Sequence, residues 1–203
     1  EILKKKEDWF DFAILENSTM QSSQSTIIDY DNGMLNILRE GSISIDTIEE
    51  ALYRPLILFV CTGNICRSPM AEYYSKYLID KENLSYRVGS AGFMAEGYPI
   101  SKNAFEVLRE EKIDGARHIS RVLNKQLVES SNIILTMTAQ HKFDLLELFP
   151  NCYNKVFTLS EFCGIASDIA DPYGLDYQHY RNAFEKIKAM VDIIFRKLEM
   201  EVD

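Results

Sequence analysis

Histidine is scarce in this chain, with three residues, and cysteine is not plentiful, with four. No two cysteines form a C-x-x-C pair, and His118, His141 and His179 stand far apart, so no zinc-ligand spacing is present and neither metal nor cofactor is expected. The first residues, EILKKKEDWFDF, lack the apolar core of a secretory signal. A disulfide scaffold is therefore not expected, and a cytoplasmic location is. No apolar run approaches the ~18–20 residues of a membrane-spanning helix, which argues against a membrane partner. An excess of basic charge is also lacking: 22 Lys+Arg face 31 Asp+Glu, a net −9 that disfavours nucleic acid as the main ligand. The acidity is uneven, because residues 1–50 carry 4 Lys+Arg against 11 Asp+Glu, so it says little about the ligand of the remainder. Repeats and low-complexity linkers are absent.

What is present is an alternation of strand and helix patterns. After Arg54-Pro55, the run Leu56 to Val60 is continuously apolar, which suits a central parallel strand buried on both faces. A glycine-containing turn follows. Then Ser68 as cap and Pro69 as first helical residue open a helix whose Met70, Tyr73, Tyr74, Tyr77 and Leu78 keep helical spacing. Further strands are predicted at Tyr86 to Ala91, Asn132 to Met137 and Lys155 to Leu159. Helices are predicted at Ser101 to Lys112, Leu123 to Ser130 and Ala139 to Leu148, and a long one runs from about Asp176 to near Met200. Such alternation implies an α/β fold with a parallel sheet covered by helices on both faces, binding its ligand beyond the carboxyl ends of the strands. Residues 1–53 read differently, as a small appendage to a domain at 54–203. Two short strands surround a hairpin-type turn at Asp31-Asn32-Gly33. A small helix follows at Asp46 to Leu52, with Asp46 as cap and Glu49 three residues on. Trp9, Phe10, Phe12, Ile27, Ile28, Leu35 and Ile37 need burial somewhere, which suggests packing on the larger domain or a homodimer through this appendage.

The chemistry is concentrated in Cys61-Thr62-Gly63-Asn64-Ile65-Cys66-Arg67-Ser68-Pro69. A strand delivers the chain to a tight loop and a helix leaves it. The loop amides and the helix N-terminus then form a nest for a tetrahedral oxyanion. Gly63 and Asn64 are the residue types that tolerate a left-handed backbone in such a nest. Cys61 stands at its base, where positive potential favours thiolate over thiol. Arg67 can hold two phosphoryl oxygens with its planar guanidinium and stabilise charge developing on them. Ser68 can donate to the Cys61 sulfur. Asp171, in Asp171-Pro172-Tyr173-Gly174 just before the last helix, can protonate a departing oxygen and later deprotonate water. The outcome is a cysteine-dependent phosphomonoesterase acting on a phosphorylated protein or a small phosphomonoester. Cys152 and Cys163 are expected to be structural or incidental, and His141 and His179 to be solvated or packing residues.

The string CTGNICRSPMAE with the later DPYG resembles the low-molecular-weight protein tyrosine phosphatase family over residues 55–200. That resemblance implies a four-stranded parallel sheet with flanking helices and a metal-free, two-step reaction through a cysteinyl-phosphate. It also implies that Ser90 supports the phosphate loop, that His118 hydrogen-bonds near Asn64, and that Cys66 can form a reversible disulfide with Cys61. Within the family, arginine-directed bacterial members tend to carry threonine at the Ile65 position and often phenylalanine at the Tyr173 position. Ile65 and Tyr173 better suit a phenyl ring, so phosphotyrosine is favoured over phosphoarginine. Arsenate reductases share the loop but need closely spaced downstream cysteines, which this chain lacks. Residues 24–52 resemble the closing segment of a threonylcarbamoyl-adenylate synthase domain, too short to act alone. Two other readings are a non-catalytic phosphate-binding module, disfavoured by the intact Cys61, Arg67 and Asp171, and a nucleotide-modification subunit that binds ATP and threonine.

Overall fold

The structure is a computed structural model that describes residues 24–31, 34–45, 47–48, 54–94 and 96–200. The chain divides into two compact units, Glu1–Leu52 and Tyr53–Asp203.

In the first unit, β1 (Ile27–Asp31) and β2 (Met34–Arg39) pair antiparallel. The Asn32-Gly33 turn expected between them lies outside the described residues. The Thr26 hydroxyl donates to Ile43 O at 2.6 Å, and the Arg39 guanidinium donates to Ser25 O at 2.8 Å, tying the open end of the hairpin. A helical turn opens at Ile45, and Ser44 Oγ accepts from the Thr47 N–H at 3.3 Å. This turn starts one residue earlier than the Asp46 cap predicted; Asp46 and Glu49 themselves lie outside the described residues. Ile27 and Ile28, expected to need burial, are exposed, and Ile37 is half-buried. Trp9, Phe10, Phe12 and the Leu35 side chain fall outside what is described.

The second unit is a four-stranded sheet in the order β4-β3-β5-β6, every pairing parallel. Its strands are β3 (Leu56–Cys61), β4 (Arg87–Gly92), β5 (Ile133–Thr136) and β6 (Val156–Thr158). The apolar run of β3 puts alternate side chains into two cores, as period-2 geometry requires. Ile57, Phe59 and Cys61 join the larger core, while Leu58 and Val60 join the smaller one. The larger core is closed by α1 (Arg67–Glu82), α2 (Lys102–Glu110) and α6 (Tyr177–Met200). The smaller is closed by α3 (Lys125–Ser130) and α4 (Ala139–Leu148). A 3-10 turn at Pro150–Lys155 and a short α5 (Leu159–Cys163), neither foreseen, flank β6. The α6 stripe is buried as its periodicity predicts, from Tyr180 and Phe184 to Phe195 and Leu198. On α1 the stripe is narrower than predicted: Met70, Tyr74 and Leu78 are buried, but Tyr77 faces out. Among the described residues no helix is long and apolar enough to cross a membrane.

Candidate active site

The carboxyl ends of β3 and β4 finish side by side, with Cys61 paired in register with Gly92. The loop Thr62 to Cys66 leaves β3 there and turns into α1. It lies so close to β4 that a Cβ on Gly92 would sit 2.6 Å from Thr62 O and 2.8 Å from Asn64 N. Only glycine fits beneath the loop.

Four of the loop's five carbonyls are used by the protein. Thr62 O accepts from Phe93 N and Met94 N, Asn64 O from the His118 imidazole, Ile65 O from Ser101 N and Cys66 O from Met70 N. Among the described residues no protein group accepts from the N–H of Gly63, Asn64, Ile65 or Cys66. With four carbonyls bound by the protein and its amides unused, the loop is left with a row of donors for an anion. Asn64 supplies the bend with φ 51°, but Gly63 is not left-handed, contrary to expectation. A Cβ on Gly63 would meet nothing nearer than 3.5 Å, so its lack of a side chain serves to keep the cavity open.

Asn64, itself fully buried, is also the hub of a hydrogen-bond network. Its Nδ2 donates to Ser68 Oγ at 2.9 Å and to Ser90 Oγ at 2.7 Å, and its Oδ1 accepts from Arg121 N at 3.0 Å. Ser90 in turn donates to Glu72 Oε2 at 2.5 Å. Donation therefore runs in one sense from Asn64, and Ser68, already accepting from the amide, keeps its own proton for Cys61 Sγ at 3.0 Å. This explains why Ser68 is not the helix cap that its position suggests. The helix begins at Arg67, with Cys66 in the cap position and no side-chain cap bond. His118 Nε2 lies 2.7 Å from Asn64 O, and burial pushes its pKa below the ordinary histidine value.

Arg67 is buried, with Nη1 donating to Ile169 O at 3.1 Å and Nη2 to Asp171 Oδ2 at 2.5 Å. Its Nε is buried without any partner. A buried, orphaned guanidinium N–H is costly unless a ligand uses it, which marks the space in front of Arg67 as an anion site. The Asp171 side chain is about half exposed, 49%, and its Oδ1 accepts from Tyr173 N at 3.2 Å. Cys61, Thr62, Gly63, Ile65, Cys66, Arg67, Met94, Asp171 and Tyr173 line one cavity of about 240 Å³. Tyr173 stands mostly exposed at its rim.

The sequence expectations for Cys61, Arg67, Asp171, Thr62, Gly63, Ile65, Cys66 and Tyr173 thus converge on one cavity, with Asn64, Ser68, Ser90 and His118 as its buried support. His141 is a correction: it is not a solvated or merely packed residue. It is buried, with Nε2 2.8 Å from Thr62 Oγ1. Burial, then the nearby Arg67 cation, lowers its pKa to about 4. Glu72, Arg121 and Met94 were also missed, as were Ser101 and Tyr180, which hold Cys66. The Cys66 thiol donates to Ser101 Oγ at 3.2 Å and lies 3.5 Å from Tyr180 OH, and burial pushes its pKa up. Cys152 and Cys163 bond to carbonyls of Phe149 and Met190, away from this cavity. His179 is exposed and paired with Asp176. Among the described residues no cluster of three His, Cys, Asp or Glu side chains could hold a metal.

Residues 56–203 match the family model described as low molecular weight phosphotyrosine protein phosphatase. A protein-arginine-phosphatase of Geobacillus stearothermophilus is 42% identical over 147 residues, covering 71% of this chain and 97% of that protein. The low molecular weight protein-tyrosine-phosphatase PtpB of Staphylococcus epidermidis is 36% identical, covering 70% of this chain and 99% of its own. Among solved structures, the low molecular weight protein tyrosine phosphatase from T. tengcongensis superposes with a TM-score of 0.69 at 36% identity, covering 70% of this chain and 99% of that one.

Proposed function

The chain belongs to the low molecular weight phosphotyrosine protein phosphatase family, and from that premise we propose that it hydrolyses phosphotyrosine in proteins through a phosphorylated Cys61. The observation that carries this reading is the cavity where Cys61 meets the loop's unused amides and the orphaned Nε of Arg67. The Cys61 thiolate attacks phosphorus from the base of the nest, forming the S–P bond as the P–O bond breaks. Loop amides and Arg67 stabilise charge on the three spectator oxygens. Because phosphate competes with Asp171 for Arg67, its arrival releases the Asp171 carboxylate, which takes up a proton from solvent and gives it to the departing oxygen. In the second step the same carboxylate takes a proton from water, the S–P bond breaks, and Ser68 donates to the returning sulfur anion. Inorganic phosphate leaves.

Tyrosine specificity rests on the walls above the nest. Ile65, Met94 and the mostly exposed Tyr173 line an apolar slot suited to a phenyl ring. A phosphoarginine substrate would bring guanidino N–H groups that need acceptors. Ile65 offers none, where a threonine would, and Asp171 is the carboxylate acceptor in the cavity. The second reading, a protein arginine phosphatase, is favoured by relatives of that name at 42% and 36% identity. Kinetics of wild type and Ile65→Thr on phosphotyrosine and phosphoarginine peptides decide between them. Wild type should prefer phosphotyrosine, and Ile65→Thr should shift the ratio towards phosphoarginine; a wild-type preference for phosphoarginine overturns the assignment.

Four free thiols suit a reducing, cytoplasmic compartment. Exposed Ile27, Ile28 and Leu38 support a contact between two copies through the amino-terminal unit. Light scattering tests that, with a monomer at micromolar concentration as the contrary result.

A further inference from the structure

Thr62 is held at both its carbonyl and its side chain. Its carbonyl accepts two amides, Phe93 N at 2.8 Å and Met94 N at 3.2 Å, while its hydroxyl oxygen lies 2.8 Å from His141 Nε2. The His141 ring stacks on Phe93, centroids 6.0 Å apart and planes 19° from parallel. Three segments, the loop after β3, the end of β4 and the first turn of α4, are thus joined through one buried imidazole.

The protons in this cluster can be assigned by satisfying every group. Thr138 caps α4, its Oγ1 accepting from the His141 N–H at 3.2 Å. Its own hydroxyl proton then needs an acceptor, and the partner in reach is His141 Nδ1 at 2.9 Å. With Nδ1 accepting, a neutral imidazole carries its proton on Nε2 and donates it to Thr62 Oγ1. The lowered pKa of about 4 is in keeping with a neutral ring. Thr62 Oγ1 is then an acceptor towards His141, and the Thr62 hydroxyl proton has no other partner among the described residues. Thr62 lines the cavity.

We propose that His141 is a positioning residue that turns the Thr62 hydroxyl into an additional donor to the bound phosphoryl group. Had the imidazole accepted from Thr62 instead, the hydroxyl would be a spent donor and present only lone pairs to an anion. The proposal rests on the phosphatase reading in that the ligand is a phosphoryl group, and it adds a side-chain donor to the main-chain nest and Arg67.

The test is calorimetric titration of the full chain with inorganic phosphate, alongside kcat/KM on p-nitrophenyl phosphate. Thr62→Val removes the hydroxyl at nearly constant volume. His141→Phe keeps the ring on Phe93 but removes both ring hydrogen bonds. Each should weaken phosphate binding about tenfold or more, the effect of one lost hydrogen bond to a charged group. The double variant should lose no more than either single one, because the two residues act through a single proton. Thr62→Ser, which keeps the hydroxyl, should recover most of the loss. A purely structural His141 would lower the melting temperature, leaving Thr62→Val with wild-type phosphate affinity. That result, or losses that multiply in the double variant, overturns the proposal. Failure of the phosphatase reading would look different: wild type would not turn over p-nitrophenyl phosphate at all, while the titration would still report on Thr62.

Discussion

Asn64→Asp isolates the electrostatic logic beneath the phosphate loop. The substitution keeps volume, keeps a residue type that tolerates φ 51°, and keeps the Oδ1 acceptor for Arg121 N. What it removes is the pair of Nδ2 donors, and it adds a charge. Asn64 Nδ2 and Glu72 Oε2 are bridged by the single Ser90 oxygen, with legs of 2.7 and 2.5 Å. At about 5 Å and an effective dielectric near 20, two carboxylates so placed repel by about 3 kcal/mol. Losing two buried hydrogen bonds adds about 1 kcal/mol or more. Urea denaturation at pH 8 should therefore give a loss of about 4 kcal/mol, equivalent to a fall in Tm of about 10 °C. Repulsion of that size raises the pKa of the introduced carboxyl by about 2 units, from about 4 to about 6. The penalty is thus complete above about pH 6 and fades as the pH falls towards about 4, where the carboxyl is neutral in both states. Adding Glu72→Gln should recover about 3 kcal/mol of it in a double-mutant cycle. A coupling below about 0.5 kcal/mol, or a penalty unchanged between pH 8 and pH 5, would refute the placement of Glu72 behind Asn64.

Asp171→Asn should slow turnover about a hundredfold or more on phenyl or alkyl phosphates, but far less on p-nitrophenyl phosphate, whose leaving group needs little protonation; equal losses would remove Asp171 as acid. Ser68→Ala takes the donor from the Cys61 sulfur and should slow phosphoenzyme breakdown about tenfold, read as a larger pre-steady-state burst; an unchanged burst contradicts it. His141 and His118 are both buried with pKa values below the ordinary 6.5, so the unfolded chain binds protons that the folded one refuses. Stability is therefore complete above about pH 6.5 and falls towards pH 4, by about 3 kcal/mol from His141 alone. Urea midpoints across that range measure it, and a flat profile contradicts it.

The sheet and most of the site can be read in the sequence because their signals are local. Leu56 to Val60 is apolar at every position because both faces of β3 are covered, and the nine residues from Cys61 to Pro69 carry nucleophile, loop and guanidinium in one stretch. The supports of the site are less legible because they act across distance. Glu72 reads as an ordinary i,i+4 partner of Lys76, and it is that too, but its other oxygen serves Ser90. His141 stands three residues after the capping Thr138, a position common on protein surfaces, and only the packing of α4 against the end of β3 brings it to Thr62. Ser68 followed by Pro69 reads as a helix cap, and the sulfur of Cys61 outcompetes the helix for its hydroxyl. Tyr77 fits the apolar spacing of α1 yet lies outside the stripe that α6 covers. Spacing alone does not say how wide that cover is.

The central claim is that phosphoryl transfer passes through the sulfur at the end of β3. Acid quenching of the enzyme during turnover of p-nitrophenyl phosphate, followed by peptide mass spectrometry, reads this directly. One phosphoryl group should appear on the peptide containing Cys61, more abundantly in Ser68→Ala, and Cys61→Ser should release no p-nitrophenol. A phosphoryl group on any other residue, or hydrolysis that survives Cys61→Ser, would contradict the account.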